Sequence, residues 1–121
     1  MSKALTSQPD AKSSRARKSA SQTRIARLFF LDLSEGRVMS CNPDGSDLRT
    51  IVSQAGHMPD GVVVDENSGH IYWTNMGTLG ANDGSILRAN LDGNNLTTIV
   101  PAGGTHTAKQ IQLDKKNRRL Y

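Results

Sequence analysis

Every aromatic residue of this chain falls on one recurring pair of positions. Phe29-Phe30 lies in RLFFLD, Tyr72-Trp73 in HIYWTN, and Tyr121 in RRLY. A chain that rewrites one short pattern at a fixed spacing must fold as a repeat, whose units bury their apolar faces on one another. The spacing can be counted. Asn42–Val52 and Asn90–Val100 lie 48 positions apart and agree at seven of eleven places. Asp65–Tyr72 and Asp114–Tyr121 lie 49 apart, whereas Leu28–Asp32 and Ile71–Asn75 are only 43 apart. An insertion within Met76–Gly84 accounts for the difference. A period in the mid-forties with no helical stretch inside it points to four-stranded propeller blades.

The strands follow from period-two or continuous apolar runs bounded by turn residues. They are expected at 25–33, 37–42, 48–53, 61–65, 70–75, 85–90, 96–100, 111–114 and 118–121. The Asp-Gly pairs Asp44-Gly45 and Asp92-Gly93 each mark a hairpin, since glycine accepts the positive φ such turns demand. Asn42, Asp44 and Asp47 have some likeness to a calcium loop, but the glycine offset and the missing bidentate Glu favour the hairpin. The fold class expected is all-β, a partial β-propeller of four-stranded antiparallel blades. One blade, 61–100, is complete; 25–53 and 108–121 are incomplete. Such a chain is expected to be a fragment of about two blades that self-associates through open blade faces, with three copies closing a ring as the most ordered outcome.

Charge divides the chain. The first 27 residues hold seven basic residues against one acidic, and the remainder eight against ten. Residues 1–24 are expected to be a disordered basic tail, too poor in large apolar residues to offset its ordering entropy. Its charge suits a solubilising extension, an electrostatic contact with nucleic acid or an acidic membrane, or a transit peptide. No apolar run reaches the length of a membrane span or a signal-peptide core. The single Cys41 cannot form an internal disulfide and lies on an apolar strand, so a reducing, cytoplasmic setting and an inert thiol are expected.

Four signatures in order carry a family likeness: Tyr72-Trp73-Thr74-Asn75, then Gly84–Gly93 (GSILRANLDG), then Leu96–Val100, then Asp114–Tyr121. Residues 25–121 resemble the low-density-lipoprotein-receptor class B (YWTD) repeat, a six-bladed β-propeller family. Asn75 stands where the motif has Asp, and the first copy reads Phe29-Phe30-Leu31-Asp32. The resemblance implies protein binding, without the Cys-rich modules that accompany cell-surface receptors of the family.

Physically, the repeated aromatics are expected to fill the space between neighbouring sheets. Asp32 and Asn75 are expected to cap backbone N–H groups in the loops after their strands. His57 and His106, 49 positions apart, each precede an innermost strand, with Asp60 and Lys109 at equivalent places and Gln110 beside Lys109. These five residues form the candidate binding surface at the mouth of the central channel; the other reading is that the two histidines hydrogen-bond neighbouring loops. Two histidines do not complete a metal site. No catalytic, metal or cofactor residue is expected. The function expected is a non-catalytic, protein-binding scaffold; the alternative is a fragment of a metal-dependent hydrolase resembling the gluconolactonase propellers, whose ligands would have to come from Asp60, Asp65, Lys109, Gln110 and Asp114.

Overall fold

A computed structural model describes residues 26–121, and the expected tail at 1–24 lies outside them. The described residues form an all-β chain of nine strands in order: β1 Leu28–Asp32, β2 Arg37–Cys41, β3 Arg49–Val52, β4 Pro59–Asp65, β5 His70–Asn75, β6 Gly84–Asn90, β7 Thr97–Thr105, β8 Leu113–Asp114 and β9 Arg119–Leu120. They pair as three antiparallel sheets, β1-β2-β3, β4-β5-β6-β7 and β8-β9. Each is an open meander, as blade-by-blade repetition predicts. Three strands outrun their expected limits, β6 by the single residue Gly84. β4 begins at Pro59 across a register irregularity, and β7 continues beyond Val100 until Thr105 pairs with Gly84.

The two Asp-Gly loops are built alike. Gly45 N–H donates to the Asn42 carbonyl and Gly93 N–H to the Asn90 carbonyl, both at 2.9 Å. Asp44 and Asp92 each accept a bond at 2.9 Å from the backbone N–H two residues on. Glycine takes φ +88° at 45 and +91° at 93, and the chain goes left-handed again at Asp47 and Asn95. The second left-handed position was not evident in the sequence, where Asn95 had no expected role. Asn tolerates that conformation better than other L-residues. Asn95→Ala is therefore expected to cost about 1 kcal/mol, and Asn95→Gly nothing measurable. Chemical denaturation of the two variants checks this.

The core lies between the first two sheets. Val38, Val52 and Ala55 meet Ile71, Trp73 and Ala89, and all six are buried. Period-two alternation puts Ile71 and Trp73 on the face toward the first sheet, and Tyr72 and Thr74 on the other. The expectation that all the aromatics fill inter-sheet space fails for two of them. Trp73 is fully buried, but Phe30 is 38% exposed and Tyr121 67% exposed. Phe30 holds Trp73's place in β1, so its face points away from the second sheet. Among the described residues no sheet lies on that side to receive it.

Candidate functional site

The Tyr-Trp-Thr-Asn segment joins one sheet to the next. Trp73 Nε1 donates to the Ala55 carbonyl at 2.8 Å, and Asn75 Nδ2 donates to the same oxygen at 2.9 Å. One carbonyl in the linker between the first and second sheets thus receives two buried donors. This corrects the expected role of Asn75. Instead of capping the loop that follows, it turns back to the preceding linker and also reaches Ser85 Oγ at 3.1 Å. An amide can donate to a carbonyl and a carboxylate cannot, which suits Asn here. Asn75 Oδ1 is buried without a protein partner among the described residues.

Thr74 works in the opposite direction. Its hydroxyl accepts from Gly61 N–H at 2.9 Å and donates to the Lys109 carbonyl. Gly61 completes this joint, since a Cβ there would collide with the backbone of Lys109 and Gln110. The second and third sheets therefore meet at Thr74 and Gly61, neither of which the repeat pattern singles out as a junction. A glycine directly before the run Val62-Val63-Val64 was the available signal.

Asp32 follows expectation. Its Oδ1 accepts from Glu35 N–H at 3.1 Å, and its other oxygen pairs with Arg37. Asp65 and Asp114 cap the turns after β4 and β8 in the same way, accepting from Ser68 N–H and Asn117 N–H. The Arg37 hydrogen bond holds the Asp32 carboxyl below its ordinary value of 3.8. Hydrogen bonds from Ser68 lower Asp65, and those from Asn117 lower Asp114. Carboxyls depressed in the folded state stabilise it above their unfolded pKa, and that contribution disappears as pH falls through the folded values. Melting temperature is thus expected to be flat near neutrality and to drop below about pH 4. Asp32→Asn should shallow the drop. A pH series of thermal melts checks it, and a profile identical to wild type would remove Asp32 from the account.

The five candidate rim residues do not form one cluster. His106, Lys109 and Gln110 line a cleft of about 240 Å³ with Thr74, Ile86, Ile111, Leu120 and Tyr121. Asp60 precedes Gly61 and so stands beside the Lys109–Gln110 backbone, although it does not line the cleft. His57 is elsewhere. Its Nδ1 lies 3.2 Å from Thr78 Oγ1, and its carbonyl accepts from Gly77 N–H at 3.0 Å. It braces the inserted 76–83 segment. All five side chains belong to residues exposed to solvent. Among the described residues no three His, Cys, Asp or Glu side chains come together as metal ligands. No helix there is long and apolar enough to cross a membrane.

Comparison with known proteins bears on the repeat and the fold. Residues 26–66 match the family described as low-density lipoprotein receptor repeat class B. The chain is 48% identical over 106 residues to a low-density lipoprotein receptor-related protein 1 of Pyricularia oryzae, covering 78% of this chain and 34% of that protein. It is 34% identical over 104 residues to a 3-hydroxyacyl-CoA dehydrogenase-like protein of Cochliobolus heterostrophus, covering 78% of this chain and 22% of that one. The chain thus spans about a third or less of the relatives it matches. The crystal structure of a nidogen/laminin complex contains a chain of similar fold, with TM-score 0.69 and 21% identity over 78% of this chain and 34% of that one.

Proposed function

We propose, starting from a chain that carries low-density lipoprotein receptor class B repeats on a β-propeller fold, that it is a non-catalytic scaffold whose channel-mouth rim contacts a protein partner. The observation that supports this reading is the junction of the second and third sheets. There Gly61 packs on the Lys109–Gln110 backbone, with Lys109 exposed beside His106 and Asp60, of opposite charge, exposed next to Gly61 in the chain. Most of the repeated motif residues are absorbed into joints and turns, whereas His106, Lys109 and Gln110 keep exposed polar side chains around a cleft. Exposed charges of both signs fix orientation and encounter rate more than affinity. The similar fold within a nidogen/laminin complex is a precedent for a propeller in a protein assembly, and the partner of this chain is our proposal alone.

The test is a photo-cross-linking residue at Gln110 to identify what binds, followed by titration of that protein against wild type and a His106→Ala/Lys109→Glu variant. At least a tenfold loss of affinity with an unchanged melting temperature is expected. Unchanged affinity would confine these residues to a structural role.

A further inference from the structure

The inserted segment 76–83 is tied down along most of its length. Met76 N–H donates to the Met58 carbonyl at 2.9 Å and Gly77 N–H to the His57 carbonyl at 3.0 Å. Thr78 N–H donates to Asp83 Oδ1 at 2.7 Å, and Thr78 Oγ1 lies 3.2 Å from His57 Nδ1. Just past its end, Gly84 N–H donates to the His106 carbonyl at 3.2 Å. The segment thus starts against the backbone of one candidate-rim histidine and ends against that of the other. Its tip is a β-turn. Ala81 N–H donates to the Thr78 carbonyl at 2.9 Å, and Gly80 has φ +80°, the left-handed value that the third residue of a type II turn requires. Leu79 fills the second place in this turn.

A surface leucine standing alone is ordinary and needs no explanation. Leu79 differs in how it is held. With 92% of its surface in water it is the most exposed large apolar side chain among the described residues, so it contributes nothing to packing. The corresponding corner of the first sheet, 33–36, closes in half the length. Three left-handed positions, Gly77, Gly80 and Asn82, shape the longer one. A loop fixed in this way loses little conformational freedom when its tip is buried against another molecule.

We infer that Leu79 is an anchor, whose side chain enters a leucine-sized apolar pocket on the protein that contacts the rim. The inference rests on the protein-binding reading above and supplies the apolar half of that contact. The tip suits a folded protein and not a lipid surface. Residues 76–83 hold one leucine and no basic side chain, too little apolar area and charge to stay on a bilayer. Their single charged residue, Asp83, turns inward to Thr78 N–H, so the presented tip is neutral. Gly80 and Ala81, next to Leu79, are small enough to let the walls of a pocket close around it.

The experiment places a photo-cross-linking residue at the exposed Ala81 in one sample of the full chain and at Gln110 in another. Both positions are expected to capture the same protein. That protein is then purified and titrated against wild type, Leu79→Ala and Leu79→Met. Leu79→Ala should weaken binding at least about tenfold at an unchanged melting temperature, and Leu79→Met should stay within about threefold of wild type. Equal affinities for wild type and Leu79→Ala would overturn the inference and leave the rim reading intact. A loss for Leu79→Ala with none for His106→Ala/Lys109→Glu would keep the loop as the contact and remove the rim. No capture from either position would end both readings. Two further outcomes would overturn the inference by giving Leu79 another occupant. One is binding to phosphatidylcholine/phosphatidylserine vesicles that Leu79→Ala abolishes, and the other is an oligomer of the chain alone that Leu79→Ala dissociates.

Discussion

Trp73→Ala is expected to destabilise the fold by about 3–5 kcal/mol, the cost of removing a large aromatic from a packed core. The residue has no exposed surface and sits at the centre of the cluster formed by Val38, Val52, Ala55, Ile71 and Ala89. Its ring is what joins the first sheet to the second, so the cavity would open at the joint and not within a sheet. Ala55 keeps one donor, from Asn75, so the loss is chiefly one of packing. Trp73→Phe should therefore cost much less, about 1–2 kcal/mol, for the smaller ring and the missing N–H. Leu79→Ala is the control, because Leu79 is 92% exposed and should change nothing measurable. Urea titration of the three variants decides it. A Trp73→Ala loss no greater than that of Trp73→Phe would mean that the sheets are held together elsewhere.

Gly93→Val carries the second large effect, and Gly45→Val is its internal control. The two glycines share a turn and almost the same φ, +91° and +88°. Valine at either site meets the strain of a β-branched residue in left-handed backbone, about 1–3 kcal/mol. Their surroundings differ. A Cβ on Gly93 would run into the Ile51 carbonyl of β3, whereas one on Gly45 meets nothing within 4 Å. The Asp92-Gly93 turn is thus a contact between sheets as well as a hairpin, and its substitution also pushes β3 aside. Gly93→Val is expected to cost at least about 2 kcal/mol more than Gly45→Val. Equal losses would reduce Gly93 to a turn residue like its counterpart.

Much of this architecture was legible because the repeat writes each element more than once. Strand identity, the Asp-Gly loops and the pairing of Asp with the turn after its strand all follow from copies compared with one another. What the copies could not supply was the direction in which each residue acts. Phe30 and Trp73 read as equivalents, yet only Trp73 has a neighbouring sheet among the described residues. Gly45 and Gly93 likewise differ only in what stands beside them. Asn75 was expected to cap the following loop as Asp32 does, but its amide donates to the Ala55 carbonyl, where a carboxylate could not. The candidate rim was read from spacing along the chain, and spacing does not report that His57 is engaged with Thr78 while His106 faces a cleft. Those distinctions arise from contacts between units, which no single unit encodes.

The connection between the second and third strands of a blade has two lengths in this chain. Residues 33–36 close it in the first sheet and residues 76–83 in the second, yet the ladder beneath the longer one runs unbroken from His70–Asn90 to Asn75–Ser85. Doubling a loop adds only about 0.6 kcal/mol of closure entropy. This corner can therefore take on new peptide without disturbing the blades, so recognition sequences can be grafted or diversified there while the scaffold underneath stays constant.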